Sequence, residues 1–264
     1  MARGAAWKLL VIFLLVRVFS GAAGAESAFP SRDANALILS VLEAMPRGGG
    51  YSATMETTHR LQAAVQTQNG IMVEPEAARP SYCSGATYLV FLQALQRLET
   101  GSRLNQGVIH ALAVQGQPDG VGVWGRWNAN GPGTACLFHE LNLGKNFTSF
   151  EDAQPGDFMK IFWTTAVGRH EHGHSVIFLG KSIDHGVEMI RFWSSNQPVG
   201  FGEKSVPRAR IAYAIFSRLE TPENIVHVLE LAPRNPYLGG LIHRESSLTE
   251  ALAESGVETL MVPK

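Results

Sequence analysis

Cys83 stands at the head of an apolar stretch, Ser81 to Leu98 (SYCSGATYLVFLQALQRL), in which only Gly85 disfavours a helix. Ser81 is the expected N-cap and Gly101 the expected stop, which sets Cys83 near the second helical position. There the positive end of the helix dipole and the unpaired backbone N–H groups favour thiolate over thiol, and thiolate is the attacking form. The same N–H groups can hold an oxyanion. The competing reading is a buried cysteine at a helix start. A base lies 91 residues on, where His174 opens the apolar run Val176 to Leu179 within GRHEHGHSVIFLGKS. A neutral imidazole needs a second group on its other nitrogen to fix its tautomer. Asn196, at the end of the next predicted strand, is the choice for that group, with Ser194 and His185 as alternatives.

Two other chemistries use the same residues. His170, His172 and His174 alternate, so an extended strand would project them from one face with Glu171 pointing away, a pattern that can bind zinc. A closed site would need a fourth ligand such as His139, His185 or Cys136, and no spacing fixes one, so no metal and no cofactor are assigned. Cys83 and Cys136 are the only cysteines, and a bridge between them would close a loop of about 50 residues, worth about 4 kcal/mol in the chain-entropy picture. Against the bridge, Cys136 sits in PGTACLFHEL, which reads as a short amphipathic helix with a small buried hydrophobe.

The elements that must position these groups follow from the pattern. Ser31 to Met45 is a predicted helix with Leu37, Ile38, Val41, Leu42 and Met45 on one face, closed by Pro46 and three glycines, and a second helix spans about Ala53 to Thr67. Pro155, Gly156 and Asp157 form a turn that launches a strand through Trp163. The His174 strand follows, then a turn at Asp184 to Gly186, then a strand from Val187 to Trp193 ending in Ser194, Ser195 and Asn196. Ile211 to Leu219 reads as a further strand, Thr221 to about Leu231 as a helix, and Ser247 with Glu250 as a capping box before a short helix ending at Gly256. The stretch Gly101 to Gln154 contains GVGVWGRWNANGPG and is expected to shape a cleft, with Trp124 and Trp127 able to stack on a sugar or line a peptide groove. Tyr82 and Ser84, which flank the cysteine, are the other expected substrate contacts.

Helix-borne Cys-Ser-Gly, then PGD and a strand, then GHSVIFLG resembles, over about Thr54 to Trp193, the NlpC and CHAP cell-wall cysteine peptidases and amidases of the papain-like superfamily. The resemblance implies an α+β fold in which the nucleophile helix packs on a small antiparallel β-sheet, here with N- and C-terminal helical additions. It implies Cys83 as nucleophile, His174 as base and Asn196 at the CHAP asparagine, with Ser194 at the position of the CHAP glutamate. Tyr82 stands where many NlpC members have aspartate, and the third-residue strand offers Arg191, Phe192 and Trp193 where theirs has histidine. The implied substrate is a cell-wall peptide amide in peptidoglycan; residue chemistry alone equally allows a protein peptide. Acyl transfer to an amine and a disulfide-bridged, non-enzymatic binding module are the alternatives.

Residues 1–25 carry Arg3 and Lys8, the apolar run Leu9 to Val16, and small residues ending Ala23-Gly24-Ala25, the form of a cleaved signal peptide. The expected organisation is therefore a signal peptide (1–25), a hydrolase domain (26–232) and a C-terminal extension (233–264), with the protein exported to the periplasm or medium. Eight apolar residues are too few to span a bilayer, which takes about 20, so no stable membrane insertion is expected. The mature chain would have 19 Lys and Arg against 23 Asp and Glu, a net charge of −4 that offers no basic surface for nucleic acid.

Overall fold

The computed structural model describes residues 33–66, 70–98, 104–112 and 131–257, which belong to one compact unit. Helices α1 (Ala34–Ala44) and α2 (Met55–Ala63) flank β1 (Gly48–Gly49), and a small hairpin, β2 (Val65–Gln66) and β3 (Met72–Val73), follows. Helix α3 (Cys83–Arg97) is next, then α4 (Gln106–Leu112), α5 (Gly133–Glu140) and β4 (Gly144–Phe147). The rest is mostly strand: β5 (Phe158–Phe162), β6 (Val167–Gly168), β7 (Gly173–Asp184), β8 (Val187–Asn196), β9 (Gly200–Pro207) and β10 (Tyr213–Leu219). A 3₁₀ helix (Pro222–Glu230), α6 (Pro236–Gly240), β11 (Glu245–Ser246) and α7 (Leu248–Glu254) complete the chain. Seven strands form one antiparallel sheet in the order β1-β9-β8-β7-β5-β10-β4. The fold is mixed α+β, with helices on an antiparallel sheet. Among the described residues no helix is long and apolar enough to cross a membrane.

Helix α3 is the centre of the molecule because it is apolar on every side: Ala86, Leu89, Val90, Phe91, Leu92, Ala94 and Leu95 are all fully buried. It packs on α1 and on β7 and β8. Its Phe91 meets Phe158 of β5 edge-on at 6.1 Å and Phe138 of α5 at 6.2 Å. Successive residues of the central strands face opposite sides of the sheet, and each side carries an apolar cluster. Phe158, Ile177 and Trp193 join the helix-facing core, while Met159, Ile161, Val176, Phe178, Ile190, Phe192 and Phe216 form a second cluster on the other face.

The turn predicted at Pro155 to Asp157 is the joint between the helices and the sheet. Asp157 is fully buried and accepts from Arg218 Nε (2.8 Å) and Nη2 (2.7 Å) on β10, from Asn35 Nδ2 (2.8 Å) on α1 and from the Gln154 N–H (2.7 Å). Gly156 has φ 98° and lies so close to α1 that a Cβ there would fall 2.7 Å from the Asn35 carbonyl oxygen, so glycine is required on two counts. Helix α1 begins at Ala34, after the expected Ser31, because Asp33 is its N-cap and accepts from the Asn35 and Ala36 N–H groups.

Several elements differ from the sequence expectations. The second helix stops at Ala63 instead of Thr67, because the chain turns into β2. The segment expected as a helix from Thr221 is a 3₁₀ helix, Pro222–Glu230. Strands β4 and β9 were not anticipated; GKNF and GFGEKSVP carry glycine, lysine and glutamate, which disfavour strands, and they form through pairing with β10 and β8. Within the expected cleft-shaping stretch Gly101 to Gln154, α4, α5 and β4 belong to the body of the fold. The C-terminal segment after residue 233 is part of the same body: Tyr237, Leu238 and Leu241 bury against Cys136, Ala251 buries against Ala135, Phe162 and Val167, and β11 pairs with β6.

Candidate active site

Cys83 is the first residue of α3, one position earlier than expected, because Tyr82 takes the N-cap place with extended backbone (φ −113°, ψ 167°) and Ser81 lies outside the helix. No side chain caps this end. The Ser81 hydroxyl instead donates to the Tyr82 carbonyl, and its own carbonyl accepts from Ser195 Oγ at 2.8 Å and from the Ser52 N–H at 3.1 Å. The residues before Cys83 are thus pinned to the end of β8 and to the segment after β1. That segment runs parallel to Ser81 at Tyr51 and places the Tyr51 phenol against Cys83.

His174 is the second residue of β7, three before Ile177; Ile177 pairs with Trp193, three before Asn196, the last residue of β8, so the register of that pair carries His174 to Asn196. His174 Nε2 lies 3.1 Å from Asn196 Oδ1. Asn196 is buried and donates its amide hydrogens to the carbonyls of Gly202 (2.8 Å) and Ser194 (3.2 Å), which fixes Oδ1 as the acceptor. Nε2 of His174 must then carry the hydrogen, leaving Nδ1 as the basic nitrogen for the hydrogen bond to Cys83. The ring lies edge-on to Phe192 at 5.7 Å and is roughly parallel to Trp163 at 6.4 Å.

Burial pushes the Cys83 thiol up, but the hydrogen bond and charge of His174, the Ser175 backbone N–H and the Lys160 ammonium together bring it down to about 6. Tyr51 moves the opposite way: burial raises it, and the neighbouring Cys83 adds to the rise. Its phenol therefore stays protonated, hydrogen-bonded to the cysteine side chain and backbone N–H.

The other expectations sort as follows. Tyr82 is 4% exposed and joins the helix-facing core, so it does not face a substrate; an N-cap residue with extended backbone turns its side chain back toward α3, beside Gly85. Ser84 is likewise buried, in the first turn of α3. Trp124, Trp127 and residues 1–25 lie outside the described residues. The three histidines do not share a strand face, because β7 begins only at Gly173: His170 sits in a turn, where its Nδ1 pairs with Glu245. Glu171, between His170 and His172, is buried and bonded to Lys160. Among the described residues no group of three or more His, Cys, Asp or Glu is arranged to hold a metal ion. The two thiols are not bridged; Cys136 is buried on α5 beneath α6. Ser194, the alternative third residue, donates to the Ser175 carbonyl at 2.7 Å, and His185 is exposed in the β7–β8 turn, paired with Asp184.

Sequence reasoning missed Tyr51, Ser195, Lys160 and Glu171. Lys160 carried a signal, a charge in the middle of the apolar strand FMKIF. Tyr51 and Ser195 carried none, since each acts on a residue far away in the chain. A cavity of about 480 Å³ lies elsewhere, along β4, and Cys83, His174 and Asn196 do not line it. Asn146 borders that cavity, and its Nδ2 donates to the carbonyls of Ala135 (2.7 Å) and Ser255 (2.8 Å). Comparisons of the chain with protein-family models, with curated proteins and with solved structures found no match.

Proposed function

We propose that the protein is an exported, papain-like thiol hydrolase that cleaves an amide bond in peptidoglycan or a related peptide, using Cys83, His174 and Asn196. The observation that carries this reading is the linked set itself: a cysteine on the first turn of a buried helix, hydrogen-bonded to a histidine whose tautomer is fixed by a buried asparagine. The α3-on-sheet arrangement and the order Cys, His, Asn along the chain support the papain-like assignment.

The chemistry follows from the geometry. His174 Nδ1 takes the Cys83 proton, and the imidazolium is steadied by its Nε2–H to Asn196. The thiolate attacks the amide carbonyl carbon. The oxyanion replaces the Tyr51 oxygen at the Cys83 backbone N–H, which lies at the positive end of α3, and the Tyr51 hydroxyl, which burial keeps protonated, turns its hydrogen from the sulfur to the oxyanion. His174 returns the proton to the leaving amine as the C–N bond breaks, giving a thioester. Water, deprotonated by His174, releases the acid and restores the thiol.

The test is incubation of the purified protein with peptidoglycan and chromatography of the released fragments. Amide cleavage is expected that persists in EDTA and disappears with Cys83→Ala or thiol alkylation. Cleavage that EDTA abolishes and alkylation leaves intact would overturn the thiol mechanism, whereas a thioester that passes its acyl group to an added amine would redirect the reading to acyl transfer.

A further inference from the structure

Strand β5 places Lys160 among buried apolar residues, with a side chain only 11% exposed. A charge at that depth is strongly destabilising unless it is paired. Glu171, 3% exposed, meets its Nζ at 2.6 Å, and the ammonium also sits 5.3 Å from the centre of the Phe162 ring. Lys160 is directly opposite Ser175 in the ladder, on the face that Phe158 and Ile177 turn toward α3, and the Ser175 backbone N–H acts on the Cys83 thiol in the lowering direction. The pair occupies the space over Gly173: a Cβ there would lie 2.7 Å from Glu171 Oε1 and 2.9 Å from Lys160 Nζ. Glycine immediately before the catalytic histidine is therefore what lets the ion pair and the base share one strand end.

We infer that Lys160 is a positioning residue of the thiol site: clamped by Glu171 over Gly173, its ammonium holds a fixed positive charge beside Cys83 that favours the thiolate. This rests on the hydrolase reading above. The groups facing the thiol are His174 from β7, Tyr51 from the segment after β1 and Lys160 from β5, and Glu171 faces the lysine from the loop before β7. Burial keeps the Tyr51 phenol neutral. Lys160 is the ammonium among these three, and Glu171 holds it in place at 2.6 Å. Its effect on the thiol is in the lowering direction, smaller than those of His174 and the Ser175 N–H.

The test is the pH dependence of iodoacetamide alkylation at Cys83 in the intact protein, for the wild type, Lys160→Arg, Lys160→Met and the double variant Lys160→Met/Glu171→Gln. The double variant leaves no buried charge behind, and its circular dichroism and melting curve establish that it is folded. Loss of the ammonium should raise the alkylation midpoint by about half a pH unit, so that labelling at pH 6 falls about twofold, while Lys160→Arg keeps the wild-type midpoint. An unchanged midpoint in the folded double variant, with the wild type near 6, would overturn this inference and leave the hydrolase reading standing. A wild-type midpoint near 8.5, that of an ordinary thiol, would remove the activated nucleophile and with it both readings.

Discussion

Because Asn196 gives its amide hydrogens to the Gly202 and Ser194 carbonyls, its oxygen has one use left, which is to accept from His174 Nε2. That choice, made by backbone carbonyls of β8 and β9, determines which imidazole nitrogen can act as base. Asn196→Ala should lower turnover on the order of a hundredfold, less than Cys83→Ala, with little change in melting temperature. The thiol sets the pH behaviour. With Cys83 lowered to about 6, the thiolate fraction rises as pH rises through 6, and alkylation should approach its plateau by pH 7. Removing His174 leaves burial, which raises the thiol, opposed only by the weaker Ser175 and Lys160 contributions. The His174→Ala midpoint should therefore move up to about 8 or beyond, measured by mass spectrometry of the alkylated peptide, with buried Cys136 labelling slowly in both proteins. Cys83, His174 and Asn196 were legible in the sequence because each stands at an element end with a strong local pattern. Tyr51 was not, since a phenol after three glycines acquires a role only when β1 docks on β9.

At the scale of elements, the meeting of His174 with Asn196 depends on one irregularity. The β7–β8 hairpin turns through His185 and Gly186, both with positive φ (47° and 81°), and pairs Asp184 with Val187. From there a regular ladder would set His174 opposite Gln197. The register shift between Phe178 and Gly180 adds one residue, Leu179, to β7, and this brings Asn196 into place. Sequence patterning located the two strands but could not contain the bulge, because a run such as VIFLG reads the same in either register. The PGD turn shows the opposite case, since its position was legible and its energetic role was not. Asp157 joins α1, the turn and β10 through side chains distant in sequence, and its hydrogen bonds raise the Arg218 guanidinium further. Asp157→Ala leaves the guanidinium of Arg218, 13% exposed, without its partner and should cost about 3 kcal/mol in urea denaturation.

The molecule as a whole ties its C-terminal segment to the site through the loop that precedes β7. Leu241 is fully buried against Cys136, Tyr237 and Leu238, and it packs where a Cβ on Gly131 would clash at 2.4 Å. From this anchor the chain runs into β11, which pairs with β6, and the Arg244 carbonyl accepts from the Arg169 N–H at 3.0 Å. The Gly168 carbonyl in turn accepts from the Glu171 N–H at 2.9 Å, so the residue that clamps Lys160 hangs from the C-terminal segment. Weak local patterning made that segment look like an appendage, and only its tertiary contacts give it a function. Leu241→Ala should cost about 2–5 kcal/mol in thermal or urea denaturation through the cavity it leaves. If the segment braces the loop, amide exchange at Arg169 and Glu171 should speed up more than exchange in α3, whose core is separate from this cluster. Cys83 alkylation at pH 6 should slow in the same variant, as the clamp on Lys160 loosens. Uniform acceleration of exchange across the molecule, with Cys83 reactivity unchanged, would show that the C-terminal segment stabilises the fold without bracing the site.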